Sequence, residues 1–155
     1  SEVSSAMQYW KRRNNFMSEN ELKARVELAL QNHSKGYNCA QAVSCAFRDL
    51  VDIDEATLFR TTEGLGLGMG GMDGTCGAIT AAAVLSGLKC STAHLDKPDS
   101  KVNSYQISRA CIQEFKDKNS SVICRELKGV DTKKVLRSCN DCIADAVAII
   151  ATRLF

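Results

Sequence analysis

Apolar residues recur along most of this chain at the three- and four-residue spacing of a helix, and almost nowhere at the two-residue spacing of a strand. Ser18 followed by Glu21 is a capping-box pattern, and Leu22, Val26 and Ala29/Leu30 mark the inward stripe of a first clear helix. Gly36 is placed to stop it, with His33 and Lys35 in the last turn, where positive charge suits the helix dipole. Asn38 is the expected cap of a second helix reaching about Leu50, with Val43, Ala46, Phe47 and Leu50 inward. Asp54 opens a shorter helix through Leu58 and Phe59, and an alanine-rich helix runs from about Thr75 to Leu88. Beyond Pro98, Ser100 is the expected cap of a helix that turns Val102, Tyr105, Ile112 and Phe115 to the core. A short piece Cys124–Lys128 then ends at Gly129, and Ser138 caps a last helix with Ile143, Val147, Ile150 and Leu154 inward.

Between the third and fourth of these helices lie Gly64, Gly66, Gly68, Gly70, Gly71 and Gly74, six of the ten glycines in the chain, too flexible a run for a strand. A single proline agrees with a helical chain. The pattern predicts an all-α, single-domain bundle of five or six helices, with a glycine-rich loop before the central helix. Residues 18–155 make that domain. Residues 1–17, with Tyr9, Trp10 and Phe16, form an N-terminal extension or helix that packs on it or reaches a partner, a homodimer being one such arrangement.

Composition adds exclusions. A 155-residue chain with 45% hydrophobic and 25% charged residues is long enough for a real core and is not built like a disordered one. A net charge of +2 makes no electrostatic case for nucleic acid or an anionic membrane, and Lys11-Arg12-Arg13 and Lys133-Lys134 read as solvated surface. No apolar stretch approaches the roughly 18 to 20 residues of a membrane span, and the first residues carry no signal pattern, so a cytoplasmic location is expected.

The eight cysteines change the picture most. Their density is below the roughly 8–10% of disulfide-built secreted domains, and in a reducing compartment such a set is more often catalytic or metal-binding. Cys39 follows the cap Asn38, Cys76 opens the helix after the glycine run, and Cys124 starts its own short turn. Cys139 follows the cap Ser138, with Cys142 one turn on. A helix start offers unpaired amides and about half a positive charge, which favours the thiolate, the form that is both nucleophile and metal ligand. Cys45 and Cys111 fall inside helices and Cys90 just beyond one, where packing is the simpler role.

Cys139-Asn140-Asp141-Cys142 has the CxxC spacing of a disulfide or a shared metal. A thioredoxin-like unit would need a βαβ context, haem attachment a histidine where Ile143 stands, and a zinc ribbon a second CxxC; all three are disfavoured. The glycine run matches no dinucleotide or P-loop fingerprint, but it lets backbone come close to a ligand or fold around Cys76, and Gly74 and Gly77 are the candidate cofactor contacts. His33 and His94 are too scattered for a histidine metal site and read as helix-end and loop residues, and Asp73 as a turn residue.

Gly36-Tyr37-Asn38-Cys39-Ala40-Gln41-Ala42-Val43, then Gly74-Thr75-Cys76-Gly77-Ala78, Cys124 with Leu127 and Gly129, and finally Cys139-x-x-Cys142 together resemble a family of redox-active proteins named for a C–GCAxxG–C–C cysteine pattern. The resemblance spans about residues 20–150. That family is similar in its cysteines to a domain of the split-Soret cytochromes, which implies electron-transfer chemistry. One departure is Ala81, where the central motif ends in glycine.

Three functions follow. The first is thiol/disulfide exchange or electron transfer by an oxidoreductase with a redox partner not specified by the sequence: Cys139 and Cys142 cycle between dithiol and disulfide, with Cys39 or Cys76 as attacking thiolate. The second is a zinc or iron–sulfur module with Cys124, Cys139, Cys142 and either Cys39 or Cys76 as ligands. The third is a helical interaction module, without cofactor, in which the cysteines only pack.

Overall fold

Helices begin at the capping residues. In the computed structural model, which describes residues 1–11 and 17–155, α1 (Glu2–Lys11) precedes α2 (Glu19–Ser34), whose cap Ser18 accepts the Glu21 amide at 3.1 Å. Gly36, at φ +112°, turns the chain out of α2 in a conformation that side chains resist. Asn38 caps α3 (Cys39–Cys45) with a full capping box: its side chain accepts the Gln41 amide and the Gln41 side chain accepts its own, both at 2.9 Å. Asp54 caps α4 (Glu55–Thr62) through the amide and hydroxyl of Thr57. α5 (Gly77–Cys90) starts directly after Cys76, and α6 (Lys101–Asn119) follows a loop. α7 (Cys124–Lys128) ends at Gly129, φ +66°, and Ser138 caps α8 (Cys139–Arg153) by accepting the Asp141 amide at 3.1 Å. Among the described residues there is no strand, and the one extended pairing is an isolated bridge between Thr75 and Ile123.

The fold is all-α, with α8 at its centre. Ile143, Val147, Ile150 and Leu154 are buried as their spacing predicts. Ala144, Ala146, Ala148 and Ile149 on its other sides are buried too, because α1, α2, α5 and α6 all lie against it. Alanines 78, 81 and 82 keep α5 slim enough to pack against both α3 and α6. α1 lies on α8 and α2 with Ala6 fully buried; Phe16 and the Arg12-Arg13 pair fall outside the described residues. No helix among the described residues is long and apolar enough to cross a membrane.

Two predicted stripes differ from the structure. α3 stops at Cys45 because the Arg25 guanidinium, reaching over from α2, donates to the Ala46 carbonyl at 2.8 Å and to Asp49 at 2.7 Å. The chain turns there through a 3₁₀ segment, Arg48–Leu50, and Leu50 is left exposed. In α6 the helix meets the core through Cys111, Phe115 and Asn119 in its second half, so Val102 and Tyr105 near its start face solvent. Ser100 accepts the Thr92 amide at 3.1 Å instead of capping α6.

Candidate functional site

The glycine-rich segment builds the site. After α4 the backbone enters a left-handed turn: Leu67, Gly68, Met69 and Gly70 have φ of 53°, 56°, 64° and 86°, and the Gly70 amide closes onto the Gly66 carbonyl at 2.9 Å. Left-handed turns cost roughly 1–2 kcal/mol per residue with a side chain, here Leu67 and Met69, so the surroundings must hold them. They do so through backbone bonds to the segment entering α7. Cys76 donates to the Val122 carbonyl (2.7 Å), Cys124 to Gly74 (3.0 Å) and Arg125 to Met72 (2.9 Å), while the Arg125 side chain takes Asp73 at 3.2 Å. This stitching carries Cys76 and Cys124 to the same place.

Glycine is required where the loop touches the cysteines. A Cβ on Gly68 would stand 2.5 Å from the Cys124 Cβ, and one on Gly66 would run into the Asn38 side chain. Of the two glycines expected to approach a cofactor, Gly77 would put a Cβ 2.7 Å from Cys39 Sγ, and Gly74 one 2.9 Å from the Gly68 carbonyl oxygen. Both close approaches are to the protein's own atoms.

Cys39, Cys76, Cys124, Cys139 and Cys142 line one cavity of about 190 Å³, and all are free thiols. The remaining three stand apart from it. Cys45 borders the cleft of Arg25 and Asp49, Cys111 is fully buried in the core, and Cys90 packs at the end of α5. Within the cavity, Cys139 is exposed and Cys39 half-buried, whereas Cys76, Cys124 and Cys142 are buried. Cys39 and Cys76 neighbour one another in the cavity, as do Cys76 and Cys142, and each sulfur bears on the titration of the next. The backbone amides of Leu67 and Ala40 bear on the Cys39 sulfur, and that of Ala78 on Cys76, each favouring the thiolate. The Lys128 ammonium donates to Cys139 Sγ at 3.7 Å.

The electrostatics run opposite to the helix-start expectation. The hydrogen bond to Cys76 and then burial push the Cys39 thiol far up; hydrogen bonding to Cys142, with burial, raises Cys76 to about 12. Burial raises Cys124 too, against the pull of Lys128. The amides at Leu67, Ala40 and Ala78 act in the expected direction, but a neighbouring sulfur and loss of solvent outweigh them. Cys39, Cys76 and Cys124 therefore hold their protons more tightly than free thiols do.

Six further residues complete the lining, none of which the sequence singled out as part of a site: His33, Asn38, Leu67, Leu127, Lys128 and Arg137. Three can carry positive charge and none is acidic. Arg137 is held by Asp145, a fully buried carboxylate that accepts from the Arg137 Nε at 3.0 Å and from Lys118 at 2.5 Å. His33 Nδ1 pairs with the Asn140 side chain at 3.0 Å, so the helix-end histidine also ties α2 to the CxxC turn. Among the described residues no group of three or more His, Cys, Asp or Glu side chains is placed to hold one metal ion.

No curated protein and no solved structure matches the chain. A family model does, over residues 37–153, a stretch that holds all five cavity cysteines, the glycine loop and the α8 cap; its description is "Putative redox-active protein (C_GCAxxG_C_C)", and the chain belongs to that family.

Proposed function

We propose that this protein exchanges disulfides with a partner through Cys139 and Cys142. The observation that carries the reading is the placement of Cys139, exposed and in contact with an ammonium, one helical turn from the buried Cys142. As a thiolate, Cys139 attacks one sulfur of a partner disulfide, forming a mixed disulfide and releasing the other partner sulfur as a thiolate. Cys142 gives up its proton and attacks Cys139 Sγ, which breaks the mixed disulfide. The protein dithiol becomes a disulfide, and the partner disulfide becomes a dithiol with the two electrons and two protons. Cys139→Ser is expected to abolish reduction of oxidised glutathione by the reduced protein, and Cys142→Ser to trap a glutathione adduct at Cys139, read by intact mass. Undiminished exchange in Cys139→Ser would overturn the proposal.

A second reading, an iron–sulfur centre, is favoured by five cysteines lining one cavity, with backbone amides bearing on the Cys39 and Cys76 sulfurs, since amides directed at sulfur tune cluster potentials. It would draw its thiolates from Cys124, Cys139 and Cys142, with Cys39 or Cys76. A single zinc fits less well, because it would require the sulfurs to move onto one centre. Stoichiometric iron and sulfide in protein purified without oxygen would put this reading ahead of the first.

A further inference from the structure

We propose that Cys39 and Cys76 form a second, inner disulfide, loaded from Cys139–Cys142 by exchange between Cys142 and Cys76 within their shared cavity. The proposal rests on the thiol-exchange reading above and extends it to two sulfurs that the partner reaction does not use.

The sulfurs are ordered for it. Cys142 neighbours Cys139 along one helical turn, and Cys76 and Cys39 line the same cavity, with Cys76 the sulfur that bears on both Cys142 and Cys39. Each step therefore joins sulfurs that neighbour one another in the cavity or share a helical turn. Gly77 keeps the last contact open, since any side chain there would stand on Cys39 Sγ. Cys76 is 7% exposed and Cys39 half-buried, so a bulky external disulfide meets the exposed Cys139 first.

The exchange needs no external oxidant. Cys76 gives up its proton and attacks the Cys142 sulfur, and the Cys139–Cys142 bond breaks. Cys139 leaves beside Lys128 and takes up a proton. Cys39 then loses its proton and attacks Cys76, and Cys142 leaves and is protonated in turn. One disulfide is present before and after, and the proton count is unchanged. The outer dithiol is restored and can meet a second partner disulfide, so the chain holds two disulfides, or four electrons' worth of oxidation. The direction follows from solvent access: Cys76 is buried and Cys39 half-buried, so closing them into an uncharged disulfide forfeits little charge–solvent interaction, whereas the outer site recovers the exposed Cys139 sulfur that Lys128 contacts.

The test is a time course. Fully reduced protein receives one molar equivalent of oxidised glutathione, is quenched with acid, alkylated, and its disulfides are mapped by peptide mass spectrometry. The expected result is Cys139–Cys142 first, replaced by Cys39–Cys76 with the total number of free thiols constant during the replacement. In Cys76→Ala the disulfide is expected to remain at Cys139–Cys142. A wild-type disulfide that never leaves Cys139–Cys142 would overturn the inner site while leaving the exchange reading intact. Formation of Cys39–Cys76 at the wild-type rate in Cys139→Ser would overturn the relay, because the inner pair would then be oxidised directly. No disulfide anywhere in the cavity would overturn both.

Discussion

At Gly77 a single methyl group would strike the site from two sides. Its Cβ would lie 2.7 Å from Cys39 Sγ and 2.9 Å from the Leu65 carbonyl oxygen; the sulfur can rotate aside, but the carbonyl is backbone. Gly77→Ala is expected to destabilise the fold by about 1–3 kcal/mol, as overpacking does, and to speed alkylation of the displaced Cys39. A urea midpoint and a Cys39 alkylation rate both unchanged would contradict this account of the glycine. Asp145 is the other residue whose loss should be felt widely. It is fully buried beneath Arg137 and Lys118, and Asp145→Ala would leave two cations without their shared carboxylate. Both cations are partly exposed and Arg137 keeps Asp141, so the expected cost, read by denaturant unfolding, is about 1–3 kcal/mol. At this scale the sequence was legible for cysteines and mute for their neighbours. Position relative to helix starts separated the five cavity cysteines from Cys45, Cys90 and Cys111. Lys128 and Arg137 carry no such mark, because what matters is where a long side chain ends, and Arg137 is aimed by an aspartate on the next helix.

At the scale of elements, capping chemistry was the most readable signal. Ser18, Asn38, Asp54 and Ser138 all cap the helices they were expected to open, and Gly129 ends α7 where its left-handed φ requires. What escaped was decided by distant partners. α3 ends early because Arg25 takes the Ala46 carbonyl from 21 residues away, and the left-handed turn after Gly66 stands only because α7's entry segment is bonded to it. Ala81, where the family pattern has glycine, is fully buried with its methyl packed in the core. Asn38 links several of these parts, since it caps α3, packs on Gly66 and donates to the Glu63 carbonyl at 2.8 Å. Asn38→Ala is therefore expected to cost about 1–2 kcal/mol, toward the upper end for a cap. It should also raise hydrogen exchange in residues 66–74 above that of α8. Loss of stability with exchange in that loop unchanged would show that Asn38 acts on its own helix only.

For the whole molecule, the thiols make the reduced protein sensitive to alkali. Cys45 and Cys111 are raised to about 11 by burial, Cys76 to about 12 by Cys142 and burial, and Cys39 and Cys124 are also raised, all from an ordinary value of 9.0. A raised value means that the folded chain keeps protons the unfolded chain releases. The associated stability is complete below about pH 9 and is lost as pH climbs through the raised values. Each such thiol contributes a slope of up to about 1.4 kcal/mol per pH unit in that window. The urea midpoint of reduced protein is expected to fall between pH 9 and 11, and to fall less in Cys111→Ala. Equal slopes in the two proteins would show that these thiols do not govern the decline.

Four of the five cavity cysteines, Cys39, Cys76, Cys139 and Cys142, form a reversible redox centre in this reading, and Cys124 and the three outside the cavity do not. That division is tested most directly by equilibrating the protein in glutathione buffers across a range of potentials and mapping the thiols lost at each. Reversible loss confined to Cys39, Cys76, Cys139 and Cys142 is expected, with Cys45, Cys90, Cys111 and Cys124 reduced throughout. All eight cysteines remaining thiols at every potential, or losses falling on the three outside the cavity, would contradict it.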